Sequence, residues 1–424
     1  MALRRTGLAQ CRRACGLTQE ALAEKLNVER TTVQRWEAGQ TEPQPWIRPR
    51  LQQVLDISSQ RLDYLLSGGE TDDVDLEPAP WGGHDQPESD EMRRRELLRL
   101  FSMVGTLVAM PAIDSDRVAY AADHPGQLDL AILDEYTELN RHLWRTFQLA
   151  SSKTDVMPLV RHQLDVLCAG LKNQQDDVVR ERLFVLTGDL LQLAGEIFFD
   201  ANDYTAAAHS YTLAADASKA ANAYDLWACA MVRHSFVALY ERQFSDAAPM
   251  LNLAAAVAHR GDSTLSTRHW VSVVQAQAFA GLGDQAACER ALDSAEQVQQ
   301  LEGTVHNGGW LRFDGARLAE ERGACYVTLG RHDLAETVLN DALAHRLTTR
   351  RRANVLTDLA MIGVHRRDPD KVLTYATTAL NLARKTGSGV ITRKLQALQP
   401  KLAPLLADKQ VHRLHAEITE LAAV

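Results

Sequence analysis

A chain of 424 residues exceeds one ordinary core and calls for two or more domains. Its residues are 46% hydrophobic but only 6% aromatic, and its wealth of Ala and Leu favours packed helices over sheets, so an all-α protein is expected. The formal net charge of -9 excludes holding a polyanion with the whole surface, so any such contact must be local.

The opening decapeptide MALRRTGLAQ lacks the apolar core of a secretory signal. Across residues 1–67 apolar side chains recur at helical spacing: Leu8, Cys11 and Cys15, then Leu22, Ala23 and Leu26, then Val33 and Trp36, then Leu51, Val54 and Leu55. The breaks between them have local causes. Gly16 takes the left-handed geometry that ends a helix. Thr18 caps the next helix alone, because Ala21 stands where a capping box needs Glu. Asn27 tolerates a positive φ in the sharp turn that follows. Gly39 ends a third helix, and Pro43 and Pro45 precede a fourth.

The runs Gly16-Leu17-Thr18-Gln19, Ala21-Leu22-Ala23, Leu26-Asn27-Val28 and Thr32-Val33-Gln34-Arg35-Trp36-Glu37, followed by Gly39 and Pro43, resemble the phage-repressor, or xenobiotic-response-element, type of helix-turn-helix over about residues 6–67. The resemblance implies a five-helix DNA-binding domain whose third helix, residues 29–38, lies in the major groove of double-stranded DNA. It places Arg30, Thr31, Gln34 and Arg35 toward the groove, with Thr32 beside them among the DNA-binding residues. The two arginines suit bidentate contact with guanine. Gln19 matches a residue that grips a phosphate. Arg12 and Glu37 match an internal salt bridge that ties the first helix to the end of the third. Two positions depart from the pattern: Glu29 replaces the usual Ser or Thr cap and sets a carboxylate near DNA phosphates, and Asn27 replaces the usual Gly.

Charge divides the chain further. Residues 1–66 hold ten Lys and Arg against seven Asp and Glu, whereas residues 68–91 hold nine acidic residues and no basic one. Rich also in Gly and Pro, residues 68–91 are expected to be an acidic flexible linker. Salt screens that acidity from the basic face before it, and the local surplus suffices for phosphate contact if two copies bind together, so a homodimer is expected on an inverted repeat. In residues 92–127, a connecting helix and candidate dimerisation segment, RRRELLRLFSMVGTLVAMP (Arg93 to Pro111) imitates a twin-arginine export signal. It lies behind a complete folded module, and its apolar part is shorter than a membrane span. It reads as a basic amphipathic helix, and no membrane contact is expected.

Residues 128–389 alternate amphipathic helices with short polar turns, and the turns repeat: AGEIFFDANDYTAAAHSYTLA, VALYERQFSDAAPMLNLA, AFAGLGDQAACERALDSA, CYVTLGRHDLAETVLNDAL and, more weakly, VHRRDPDKVLTYATTALNLA. Their anchors are Tyr204, Phe244, Gln285, His332 and Pro369, and the residue three positions on is Ala207, Ala247, Cys288, Ala335 and Val372. Small residues there let the second helix approach the first. The spacings exceed those of regular tetratricopeptide repeats, so the array reads as a degenerate member of that class, stacked into a right-handed α-solenoid with a concave inner wall. Leu128 to Ala150 and Val156 to Lys172 begin the stack, and residues 390–424 cap it. A single helical bundle is the alternative.

No pattern for chemistry stands out. His-Glu-x-x-His, a glycine-rich phosphate loop and a recognisable nucleophile setting are all missing from the sequence, and GLGD is a repeat turn with no strand before it. Cys168, Cys229, Cys288 and Cys325 sit in apolar helical patterns as small hydrophobes. Cys11 and Cys15 have no second Cys/His pair to complete a zinc tetrahedron. The expectation is a non-enzyme without cofactor or metal, in the reducing cytoplasm. Along the first helices of the repeats, Arg233, His234, Arg268, Trp270, Arg312, Arg317 and Arg350 to Arg352 (Arg351 central), with Asn354 and Asp358, are the candidates for contact with a ligand, since Arg clamps carboxylates and Asn pairs with peptide groups.

A repressor-type DNA reader joined to a tetratricopeptide-like array resembles the peptide-pheromone regulators known as the RRNPP group. The resemblance implies a bacterial transcription factor whose array binds a small signalling peptide and shifts dimer geometry on an operator. Two other readings stay open: a scaffold that brings a partner protein to a promoter, and a sensor of a non-peptide metabolite. A roomy, partly apolar pocket favours the metabolite; a long groove with evenly spaced Asn and Arg favours the peptide.

Overall fold

The computed structural model of the chain describes residues 8, 9, 12, 17–26, 28–44, 47–55, 62, 65 and 66, and residues 114–422 apart from 151, 174, 303–312, 314 and 346. The chain divides into two compact units, Met1–Glu77 and Pro78–Val424. Every regular element among the described residues is a helix. Cys11, Cys15, Gly16, Asn27, Pro45, the acidic linker and the Arg93 to Pro111 segment lie outside the described residues.

In the first unit three helices are described in full, α1 (Gln19–Leu26), α2 (Arg30–Glu37) and α3 (Arg48–Leu55). α1 starts where the Ala21 amide donates to Thr18 Oγ1 at 3.1 Å, and Glu20 in its first turn and Lys25 in its last complement the helix dipole. Leu22, Ala23 and Leu26 of α1 share a buried core with Val33 and Trp36 of α2 and with Leu8, Leu51 and Leu62. The turn between α1 and α2 is closed by the Val28 amide on the Ala23 carbonyl, 2.9 Å away. Glu29 holds the N-cap position of α2 in extended geometry without a capping bond from its side chain, and accepts instead from the Thr31 hydroxyl at 3.2 Å. α2 stops at Gly39, whose φ of 71° suits a residue without Cβ, and the Gln40 amide turns back to the Arg35 carbonyl at 2.9 Å.

The second unit opens with α4 (Ser115–Asp123), α5 (Leu130–Leu149) and α6 (Met157–Lys172). Five hairpins follow: α7 (Asp177–Asp200) with α8 (Tyr204–Ala220), α9 (Tyr224–Tyr240) with α10 (Phe244–Ala258), α11 (Thr267–Leu282) with α12 (Gln285–Glu296), α13 (Gly315–Thr328) with α14 (His332–Ala344), and α15 (Thr349–His365) with α16 (Pro369–Thr386). α17 (Gly389–Leu398), a 3-10 turn at Gln399–Leu405 and α18 (Lys409–Ala422) complete it.

Each sequence anchor is the first residue of a hairpin's second helix. Two positions earlier the backbone is left-handed, at Asn202, Arg242, Gly283, Gly330 and Arg367. The next amide then bonds five residues back, Asp203 to Phe198 and Asp368 to Gly363, both at 2.9 Å, which satisfies the last carbonyls of the first helix. Asp203, Asp284 and Asp368 cap the helices they precede. The residues three past the anchors are fully buried, and nine before each anchor the first helix also carries a small buried residue: Gly195, Ser235, Ala276, Gly323 and Ala360. At Gly195 the fit is closest, since a Cβ there would stand 2.4 Å from the Tyr211 ring of α8.

First helices pack on one another in sequence, α7 on α9, α9 on α11, α11 on α13 and α13 on α15. The array then closes on itself. α17 touches α7, Val390 is buried with Phe199, Ala207 and Tyr211, and the Ser388 hydroxyl donates to Asp200 Oδ1 at 2.6 Å. The Asp200 carbonyl oxygen lies only 2.4 Å from where a Cβ of residue 389 would be, so glycine permits the approach. The segment expected only as a cap has two apolar faces: Val390 meets α7 and α8, while Ile391 and Leu395 meet the core of α15, α16 and α18.

Candidate functional site

α2 sorts its side chains by face. Val33 and Trp36 are buried; Arg30, Thr31, Gln34 and Arg35 are exposed, and Thr32 lies between. Positions 30, 31, 34 and 35 fall on one stripe of a helix with 3.6 residues per turn, so two guanidiniums, an amide and a hydroxyl present donors together. Arg30 lies 2.8 Å from Glu20 of α1, with both side chains more than half exposed. Such a pair is worth little in water and yields readily to a competing phosphate or base.

A buried brace holds this helix from behind. Arg12 Nε lies 2.6 Å from Glu37 Oε1, with both side chains 9% exposed, and Arg12 Nη1 donates to the Leu17 carbonyl at 2.6 Å. The side-chain amide of Gln19 donates to Glu37 Oε2, also at 2.6 Å. Expected on a phosphate, Gln19 is turned inward here, because one arginine leaves a lone pair of the buried carboxylate to satisfy.

Within the second unit the closed array surrounds a cavity of about 860 Å³, a size typical of sites for drug-sized ligands. Trp144, Phe147, Phe236 and Trp270 give it apolar wall, and nine Lys and Arg face four Asp and Glu across it. Each carboxylate is engaged: Glu196 with Arg233 at 3.4 Å and Arg350 at 3.7 Å, Glu320 with Arg351 at 2.6 Å, Glu321 with Arg317 at 3.6 Å and Asp358 with Lys394 at 2.6 Å. Burial pushes the Glu320 carboxyl up to about 7 against the pull of Arg351, and raises Asp358 against the pull of Lys394. Lys153 caps the end of α5 by donating to the Phe147, Gln148 and Ala150 carbonyls. Burial brings its pKa down to about 8, with Asp200 opposing.

Of the candidate ligand residues, Arg233, Trp270, Arg317, Arg351, Asn354 and Asp358 line this cavity, as does Arg350. Arg233 is built into the wall: its Cζ lies 5.1 Å from the Trp144 ring and 5.3 Å from the Trp270 ring, and its guanidinium donates to Gln192. His234 and Arg268 are not lining residues. Helix phase explains both corrections, since His234 is turned about 100° from Arg233 and Arg268 about 200° from Trp270. Arg352 is exposed and also off the wall. Arg312 lies outside the described residues. Sequence reasoning missed Trp144 and Lys153, which α5 and the loop after it place beside α7, and Lys385, Arg393 and Lys394, which α16 and α17 bring to the cavity because the array closes. No group of three or more His, Cys, Asp or Glu able to hold a metal occurs among the described residues, and none of their helices is long and apolar enough to cross a membrane.

Comparison with known proteins gives one family match: the Helix-turn-helix family model aligns with residues 8–45. A search of curated proteins finds no similar sequence. Among solved structures, the crystal structure of Rap protein complexed with competence and sporulation factor aligns over 79% of this chain and 98% of its own, at 13% identity and a TM-score of 0.45. The chain thus carries a helix-turn-helix domain, the DNA-binding unit of a regulator, at its N-terminus, joined to an all-helical repeat body.

Proposed function

We propose that this chain is a sequence-specific transcriptional regulator, acting as a cytoplasmic homodimer, whose repeat unit senses a small signalling ligand and alters dimer geometry on an operator. The observation that carries the DNA-binding part is the exposed stripe of Arg30, Thr31, Gln34 and Arg35 on a helix braced from below by Arg12, Gln19 and Glu37. A rigid helix whose donors share one face meets base edges without first losing side-chain order. The observation that supports sensing is the mixed polar and aromatic cavity. A ligand there acts through its different affinity for open and closed forms of the array.

A short peptide is the first reading of the ligand. The roomy, partly apolar cavity also suits a second, a compact non-peptide metabolite. Selection of duplexes from a random pool by the full chain tests the whole reading. The expected result is an inverted repeat with half-sites about one helical turn apart, bound by two chains; a pool that enriches no sequence overturns it.

A further inference from the structure

We propose that the chamber takes a compact polyanion, a molecule bearing two or more carboxylates or phosphates, held chiefly by Lys385 and Arg393. This rests on the reading of the chamber as a ligand site and names the chemistry of its ligand. In a chain of net charge -9, the lining carries five more cations than carboxylates. Pairing does not absorb that excess. Arg233, Arg317, Arg350, Arg351 and Lys394 already share the four lining carboxylates, and Lys153 spends its donors on three carbonyls, which leaves Arg242, Lys385 and Arg393 on the wall. Arg242 and Arg393 lie over the rings of Phe244 and Tyr204, with Cζ 5.4 and 4.9 Å from the centroids. Ring stacking engages the face of a guanidinium and leaves its N–H edge for an anion.

The cations also cluster. Lys153, Lys385 and Thr386 line both the main chamber and an adjoining cavity of about 290 Å³, whose other walls include Ser152, Thr154 and the Asp200 carboxylate, itself engaged by Arg350 and Ser388. Lys385 therefore stands on the wall common to the two spaces, beside the Thr386 hydroxyl. Like charges lining one cavity reinforce one another's field on whatever enters, so a ligand with several negative groups gains more than a neutral molecule of equal size.

Titration calorimetry on the full chain tests this with citrate, a tetraglutamate peptide and inorganic pyrophosphate as acidic probes, and with an end-capped tetraserine peptide as the neutral one. At least one acidic probe should bind saturably, more tightly at low salt, and the arm that binds tells a polycarboxylate, an acidic peptide and a phosphate apart. Lys385→Gln combined with Arg393→Gln should weaken that binding about tenfold or more, the loss of charged hydrogen bonds. Lys401→Gln, at an exposed residue away from the lining, should leave it unchanged. Circular dichroism checks that the double variant is folded, and Lys385→Gln alone, at an exposed mouth position, gives the same direction of change. Equal binding of the neutral probe, or acidic binding indifferent to the double variant, overturns the polyanion. A neutral or basic molecule retained through purification and seen by native mass spectrometry overturns it too, yet keeps the ligand site. Absence of binding by every probe and of any retained molecule removes the ligand site itself.

Discussion

Replacing Arg12 by alanine strips the buried Glu37 carboxylate of its countercharge and the Leu17 carbonyl of its donor. Among the described residues, the Gln19 amide stays on Glu37. Breaking a buried pair by removing one partner costs about 3–5 kcal/mol, and with one hydrogen bond retained the lower end, about 3 kcal/mol, is the expectation. A unit of residues 1–77 has roughly 4–12 kcal/mol to lose at about 0.05–0.15 kcal/mol per residue, so the substitution removes a large share of its stability. Arg12→Met with Glu37→Met buries no charge and should recover more than half of the loss. Hydrogen exchange of peptides from α1 and α2, followed by mass spectrometry in the full chain, reads the local opening free energy. Protection in Arg12→Ala within about 0.5 kcal/mol of the parent, the range of an ordinary surface change, would refute the brace, as would a double variant no better than the single one.

Other perturbations probe the repeat unit. Gly195→Ala sets a methyl 2.4 Å from the Tyr211 ring and should cost about 1–3 kcal/mol through overpacking; unchanged denaturant unfolding of the second unit would contradict the helix contact. Gly389→Ala collides with the Asp200 backbone and should part α17 from α7, raising exchange at Phe199 and Tyr211 and the radius seen by X-ray scattering; an unchanged radius and unchanged exchange would deny the closure. Acidity should tighten polyanion binding: from pH 9 to pH 6 Lys153, titrating at about 8 beside Asp200 and Arg350, and Glu320, at about 7 among Arg351, Arg317 and Glu321, both gain protons. Tetraglutamate affinity that stays flat or falls over that range would be contrary. Because the folded state keeps the Glu320 proton longer than the unfolded one, its contribution to stability declines as pH rises from the ordinary 4.5 through 7.

The hairpins were legible because their signal is local. Tyr204, Phe244, Gln285, His332 and Pro369 each open a second helix, as a polar turn followed by an apolar run implies. The left-handed residue before them was not legible at Arg242 or Arg367, where the backbone bond to the preceding helix overrides a side chain's reluctance and no glycine marks the spot. A second small residue stands nine before each anchor, a position to which only the packing of the two helices gives meaning. Ligand-facing residues were harder. Arg233 and His234 are neighbours, and only the packing of α9 decides which one meets the chamber. Closure left no local trace at all, since Ser388 and Asp200 are 188 residues apart, and Lys385 and Arg393 became neighbours of the chamber only through it. Gln19 is the reverse case: its inward turn onto Glu37 depends on a lone pair that Arg12 does not fill.

The measurement that bears most directly on α2 as the reading helix is the affinity of the Arg35→Ala chain for the duplex that the parent selects, at fixed salt. Loss of one base-edge contact should cost about 1–3 kcal/mol, roughly five- to 150-fold, with hydrogen-exchange protection of α1 and α2 unchanged because Arg35 is exposed. Parent-like affinity and parent-like discrimination against mutated half-sites would contradict the placement of that helix in the groove.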